Sequence, residues 1–297
     1  MSSTAHVPVL PDEVLHWLAP QPGKILVDGT FGGGGHTRLL ANRVSPGGLI
    51  LALDRDPHTA AAADRLSADW PIRFVCENYA DLPHVLQQLD MPLVDGVLLD
   101  LGLSSDQLAD HQRGFSYEAA GSLDLRFNPT EGEAAWQLLD RLHEKTLADV
   151  IFKFGEERFS RRIARRIVEQ RNRDPIRTAD QLADLVRSCV PRARHHSIDP
   201  ATRTFQALRI AVNDELGALE RGLAVIPDCL RDGGRFAVIS FHSLEDRLVK
   251  HTFRQDPRLL VLTKKPVRPI EAELFRNPRS RSARLRVGER VARSIQG

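Results

Sequence analysis

The sequence predicts an α/β protein, a mostly parallel sheet with crossover helices, interrupted by an inserted all-helical domain. Three observations carry this. Over the first hundred residues short apolar runs alternate with amphipathic ones. Four consecutive glycines, Gly32 to Gly35, fall where the first apolar run hands over to a helical pattern. From about Ser104 to Val212 the alternation stops, and helical periodicity follows helical periodicity with no strand between.

The first strand is expected over 24–27, closing on Asp28, and the helix after the glycines over 37–44. A second strand spans 48–53 and closes on Asp54; an Ala-rich helix covers 58–66, a third strand 72–76, a helix 82–89 and a fourth strand 94–99, closing on Asp100. Asp28, Asp54, the Glu77-Asn78-Tyr79 group and Asp100 thus share the carboxyl edge, where an open α/β sheet takes its ligand. In the insertion, helices are expected over 133–142, 147–154, 156–171 and 179–190, punctuated by Asn128-Pro129, Gly155, Pro175 and Pro191. One long helical pattern, 204–225, leads back to a strand at 234–241, announced by Asp232-Gly233-Gly234. Strands at 259–263 and 283–287 complete one edge of the sheet.

With 297 residues, 42% hydrophobic and 27% charged, the chain is long enough for one large core or two modest ones. Its apolar runs are strand-sized, and the N-terminal stretch lacks the basic start and apolar run of a signal peptide, so a cytoplasmic protein with no membrane contact is expected. Cys76, Cys189 and Cys229 are too few and scattered for a disulfide framework and form no zinc-like pair; they read as buried thiols, and no metal is expected.

A glycine loop at a strand-to-helix turn lets bare backbone approach a ligand at the helix N-terminus. Asp54, about twenty residues further on, is placed to accept hydrogen bonds from a ribose diol. Asp28 helps to choose the cofactor. A carboxylate there repels a pyrophosphate but attracts an ammonium or sulfonium, by roughly 4 kcal/mol at about 4 Å and an effective dielectric near 20. Reading G-x-G-x-x-G from Gly32 or Gly33 puts Thr37 or Arg38 where a third glycine belongs. Both points favour S-adenosylmethionine over NAD.

Net charge is only +2, so the distribution of charge says more than its sum. In 156–171, Phe159, Ile163 and Ile167 recur every four residues, leaving Arg158, Arg161, Arg162, Arg165 and Arg166 on the other faces. Such a helix suits either a phosphate backbone or a solvated face laced with ion pairs. Arg173, Arg177, Arg192, Arg194 and Arg203 add to the same region, and Arg276, Arg279, Arg281, Arg284 and Arg286 crowd the C-terminal segment, which tips the reading towards RNA.

Seven segments, DGTFGGGGHTR, LDRDP, LLDLGLSSDQL, RGFSY, GEERFSRRIAR, PATRTFQALRI and ISFHSLEDR, occur in this order and resemble those of the MraW family of small-subunit ribosomal RNA methyltransferases. The resemblance covers nearly the whole chain. It implies a class I Rossmann-like methyltransferase sheet, 1–103 and 213–297, that binds S-adenosylmethionine, with an inserted helical domain, 104–212, that recognises the RNA. It further implies methyl transfer to the exocyclic N4 of a cytosine in the decoding region of bacterial 16S rRNA. The small ribosomal subunit is the implied partner, and a homodimer is left open. Matched motif by motif, the cofactor contacts fall on Gly34, Gly35, His36, Asp54, Tyr79, Asp100 and Gln107.

The (Asp/Asn/Ser)-Pro-Pro-aromatic motif of many amino-methyltransferases is absent. The corresponding stretch is Asp100-Leu101-Gly102-Leu103-Ser104-Ser105. The target atom therefore rests on the resemblance alone. Asp100 is the candidate catalytic acceptor near the amine, with Ser104, Ser105 and His242 as weaker candidates for holding the base; His242 reads more readily as a helix-entry residue.

Overall fold

The computed structural model describes residues 7–116, 121–191 and 199–292. Arg192 and Arg194, named above, and Tyr117, the last residue of the RGFSY segment, lie outside them. The chain divides into two compact units: Met1–Ser104 with Leu216–Gly297, and Ser105–Glu215.

The first unit is built on seven strands, β1 (Ile25–Asp28), β2 (Leu49–Leu53), β3 (Ile72–Val75), β4 (Val94–Asp100), β5 (Leu230–Ser240), β6 (Leu259–Val261) and β7 (Arg284–Arg290). Their order is β3-β2-β1-β4-β5-β7-β6, parallel from β3 to β5, with β7 antiparallel to both its neighbours. This is the α/β sheet read from the sequence. Strand order reverses beside β1, because β2 and β3 run outward on one side and β4 continues on the other. The carboxyl ends of β1 and β4, Asp28 and Asp100, therefore flank the switch point, where an open sheet leaves a crevice.

Seven of the helices belong to this unit: α1 (Pro11–Leu18), α2 (Gly35–Val44), α3 (Ala60–Ser67), α4 (Leu82–Gln88) and, after the insertion, α11 (Glu215–Cys229), α12 (Ser243–Gln255) and α13 (Glu271–Arg276). Strand residues alternate between the two faces. Val27, Leu51, Leu53, Val97 and Leu99 pack with Val85 of α4, Leu219 and Leu223 of α11 and Phe253 of α12. Leu26, Ile50, Ala52 and Leu98 pack with Val14 of α1, Leu40 of α2 and Ala63 of α3. Burial on both sides explains why the central strands read as continuous apolar runs.

The second unit is helical: α5 (Ser105–Ala109), α6 (Ala135–Arg141), α7 (Glu144–Gly155), α8 (Ser160–Arg171), α9 (Ala179–Cys189) and α10 (Ala201–Asn213). α7 packs on α8 and α10, and a Cβ on Gly155 would meet the Arg203 backbone of α10, so only glycine admits this approach. Its non-helical segment is tied down by Asn213, which donates to the Leu125 carbonyl at 2.7 Å and accepts the Phe127 N–H at 2.7 Å. Buried Arg113 donates to the carbonyls of Arg126 and Phe127.

Two helices differ from expectation. The pattern over 204–225 is not one helix: Asp214 turns left-handed (φ 49°) and separates α10 from α11. The pattern over 156–171 begins only at Ser160. Glu156 is left-handed (φ 50°), and buried Glu157 accepts the Phe159 N–H at 2.8 Å, so the four residues Glu156 to Phe159 separate α7 from α8. Cys189 and Cys229 are buried as expected, whereas Cys76 is exposed. Burial pushes the Cys229 thiol up to about 11. No described helix is long and apolar enough to cross a membrane.

Candidate active site

The loop after β1 is pinned to the tips of β4 and β2 by three hydrogen bonds. Gly29 N–H donates to Leu98 O at 2.9 Å, Thr30 Oγ1 accepts the Asp100 N–H at 2.7 Å, and Phe31 N–H donates to Leu53 O at 2.8 Å. A Cβ on Gly29 would lie 2.5 Å from the Leu99 side chain and 2.9 Å from Tyr79. Gly32 (φ 52°) then gives its N–H to Asp54 Oδ2 at 2.7 Å, and Gly34 (φ 75°) caps α2, which opens with Gly35 and His36. The loop thus presents left-handed, side-chain-free backbone at the start of a ten-residue helix, on the carboxyl edge beside the switch point.

Asp54 uses both carboxylate oxygens: Oδ2 holds Gly32, and Oδ1 accepts the Asp56 N–H at 2.9 Å. Burial nevertheless pushes its carboxyl up to about 6, against the pull of these two N–H groups.

Asp28 departs from its expected placement beside a ligand. Its side chain is 1% exposed and turned inward, accepting Thr37 Oγ1–H at 2.6 Å and the Thr30 N–H at 3.2 Å. Burial raises its pKa, opposed by the nearby His36 and these hydrogen bonds. The acid left with spare capacity at the crevice is Asp100. Its Oδ2 lies 3.6 Å from His36 Nε2, and its buried Oδ1 has no hydrogen-bond partner among the described residues. Both ring nitrogens of His36, itself 5% exposed, are likewise without one. Buried polar atoms without partners are costly, at about 1–3 kcal/mol each, and a cluster of them at a glycine loop marks where a polar ligand would complete the structure.

Tyr79 follows β3 in a 3₁₀ turn capped by the Asn78 side chain. Its ring is buried with the apolar layer under α11; a Cβ on Gly222 would lie 2.8 Å from it. Ser104, buried, stands within 3.3 Å of where a Gly32 Cβ would be. Gln107 and Ser105 lie on α5 in the helical unit, Gln107 buried. His242 is the N-cap of α12: Nδ1 accepts the Glu245 N–H at 3.3 Å, while Glu245 Oε2 accepts the Phe241 and His242 N–H groups. Thr30, which ties β1 to β4, was not singled out in the sequence; a hydroxyl two residues after a strand-terminal Asp is the signal that would have marked it.

Of the arginines on α8, Arg161 and Arg162 are exposed and have no ion pair among the described residues. Arg165 reaches Glu144 at 3.7 Å and Arg166 reaches Glu169 at 3.2 Å; Arg158, in the turn before the helix, lies over the Phe159 ring. Arg177 is held by Asp140 at 2.7 Å over Trp136. In the C-terminal segment Arg276, Arg279 and Arg281 are exposed. Arg284 and Arg286 are structural instead, pairing with Asp246 at 3.1 and 2.7 Å. Burial works to raise the Asp246 pKa, but the hydrogen bonds and charges of these two arginines outweigh it and hold the carboxyl below its usual range.

A family model described as the MraW methylase family matches residues 3–291. A Rhodopirellula baltica protein named Ribosomal RNA small subunit methyltransferase H is 50% identical over 301 residues, covering 98% of this chain and 93% of its own. Proteins of the same name from Thermomicrobium roseum and Deinococcus radiodurans are each 49% identical, over 310 and 288 residues; they cover 98% and 97% of this chain and 95% and 90% of their own.

Proposed function

The chain belongs to the MraW methylase family, and on that premise we propose that it transfers a methyl group from S-adenosylmethionine to the exocyclic N4 of a cytosine in the decoding region of 16S rRNA. It does so as a cytoplasmic enzyme acting on the small ribosomal subunit. The observation that carries the reading is the unsatisfied pair His36–Asp100 beside the glycine loop.

The residues fit the cofactor. Gly34 cannot carry a side chain without meeting Leu66 and Phe31, so its bare backbone with that of Gly35 and His36 is available to a small polar group at the N-terminus of α2. Asp54 offers carboxylate lone pairs to a ribose diol, and Tyr79 offers a ring to adenine. When bound, S-adenosylmethionine supplies an electrophilic methyl group on a sulfonium sulfur. Asp100 completes the set with a negative charge that attracts the donor's cationic end.

The cytosine amine is a weak nucleophile because its lone pair is delocalised into the ring, so it must be held in line and relieved of a proton. Asp100 Oδ1, buried and without a hydrogen-bond partner among the described residues, would accept that proton as the amine gains the methyl group and the methyl–sulfur bond breaks to leave a neutral thioether. The base must leave its stack to reach the crevice. The exposed, unpaired Arg161 and Arg162 of α8 suit the helical unit to the RNA backbone.

The test is methyl transfer from isotope-labelled cofactor to small ribosomal subunits from a strain lacking this modification, followed by mass spectrometry of the digested rRNA. Label on N4 of one cytosine supports the reading. Label on another atom or base, or none, overturns it.

A further inference from the structure

The segment 264–281 of the sheet unit carries six Lys and Arg residues and two acids. Of the two acids, Glu271 is exposed, whereas Glu273 is buried and accepts the Leu10 N–H at 2.7 Å. Lys264, Lys265, Arg268, Arg276 and Arg281 are all exposed. Among them Phe275, on α13, is 90% exposed.

A lone exposed apolar side chain is ordinary on a protein surface. This one sits on a segment fixed at several points. Val267 exchanges both backbone hydrogen bonds with Leu285, at 2.9 Å each, Asn277 Nδ2 donates to Val7 O at 3.3 Å, and Ser280 is fully buried. The segment is also tied to the face of the sheet that carries the glycine loop, since Leu10, held by Glu273, belongs to the same buried apolar cluster as Phe31 and Leu40. An exposed aromatic on an anchored segment, flanked by cations, has the composition of a single-stranded nucleic-acid platform: stacking is tolerant of base identity, and the cations follow the phosphates.

We propose that the α13 segment is a substrate-docking surface for single-stranded rRNA, in which a base stacks on Phe275 and the neighbouring phosphates pair with Lys264, Lys265, Arg268, Arg276 and Arg281. It rests on the methyl-transfer reading and assigns part of RNA recognition to the sheet unit itself.

Phe275→Ala and Lys265→Ala change exposed side chains only, so neither should disturb folding. The experiment compares wild type and variants in three measurements: binding to a fluorescent single-stranded RNA carrying the decoding-region sequence, methylation of small ribosomal subunits, and affinity for S-adenosylhomocysteine. Phe275→Ala is expected to weaken RNA binding about tenfold or more and Phe275→Trp to retain it, with cofactor affinity unchanged. Lys265→Ala is expected to lower the salt slope of RNA binding by about 0.7. Wild-type RNA affinity and salt slope in both alanine variants, with wild type active on subunits, overturns the platform and leaves the methyl-transfer reading standing. A wild type inactive on subunits overturns both. A change in oligomeric state of Phe275→Ala with RNA binding unchanged assigns the patch to a second copy of the chain and also overturns the proposal.

Discussion

Asp54 Oδ2 accepts the Gly32 N–H at 2.7 Å, so the acid at the tip of β2 holds the glycine loop that leaves β1. The carboxylate proposed to hold the ribose therefore also shapes the glycine loop. Asp54→Ala should weaken S-adenosylhomocysteine binding by about ten- to a hundredfold, the effect of losing charge-assisted hydrogen bonds worth roughly 1.5–3 kcal/mol. Calorimetry checks this, and unchanged affinity would remove Asp54 from the site.

Burial pushes the Asp54 carboxyl up to about 6, which gives cofactor binding a pH dependence. The ionised carboxylate is the better acceptor for two ribose hydroxyls, so affinity is flat above pH 7 and falls as the pH drops through 6, by up to about tenfold per unit. Asp54→Asn has no proton to gain there and should lose the dependence. Titrations from pH 5 to 8 distinguish the two; a wild-type curve flat across this range contradicts the assignment.

Gly34 and Gly132 both have positive φ, 75° and 68°, but only Gly34 is enclosed. Alanine at Gly132 meets nothing within 4 Å and pays about 1–2 kcal/mol for the left-handed backbone. At Gly34 the same Cβ collides with Leu66 and lies 2.9 Å from Phe31 Cζ, so a further cost of about 1–3 kcal/mol is expected. Denaturant unfolding of both variants measures the difference, and equal costs would show that the loop relaxes freely.

Much of the sheet was legible in the sequence because the central strands are buried on both faces. β1 and β2 read as uninterrupted apolar runs that lead into Asp28 and Asp54, and the glycines mark the turn after the first. What was hidden depends on partners distant in the chain. Thr37 engages Asp28 from the next helix, Asp246 gathers Arg284 and Arg286 from about forty residues away, and Glu273 holds Leu10 across nearly the whole sequence. No spacing rule reaches that far. The break at Asp214 was hidden for a different reason: one left-handed residue leaves the apolar periodicity of α10 and α11 almost in phase. α1 was overlooked although its signals were local, with Pro11 at its first position, acids at Asp12 and Glu13, and Val14 and Leu18 four residues apart on the buried side.

If the α8 face and neighbouring arginines touch about five phosphates of single-stranded RNA, a fourfold rise in salt should weaken binding on the order of a hundredfold. Arg161→Ala with Arg162→Ala should reduce the slope of log affinity against log salt by about 1.4, since neither side chain has an ion pair among the described residues to lose. A wild-type affinity insensitive to salt would exclude this face from the interface.

Asp100 lies 3.6 Å from His36 with one buried oxygen unpartnered among the described residues, and it is the proposed acceptor of the proton from the target amine. Single-turnover methyl transfer to small ribosomal subunits by Asp100→Asn, with S-adenosylhomocysteine affinity measured alongside, tests it most directly. The expected result is a rate lower by about 10²–10⁴-fold with cofactor affinity retained within about tenfold. Turnover equal to wild type with cofactor still bound would contradict it.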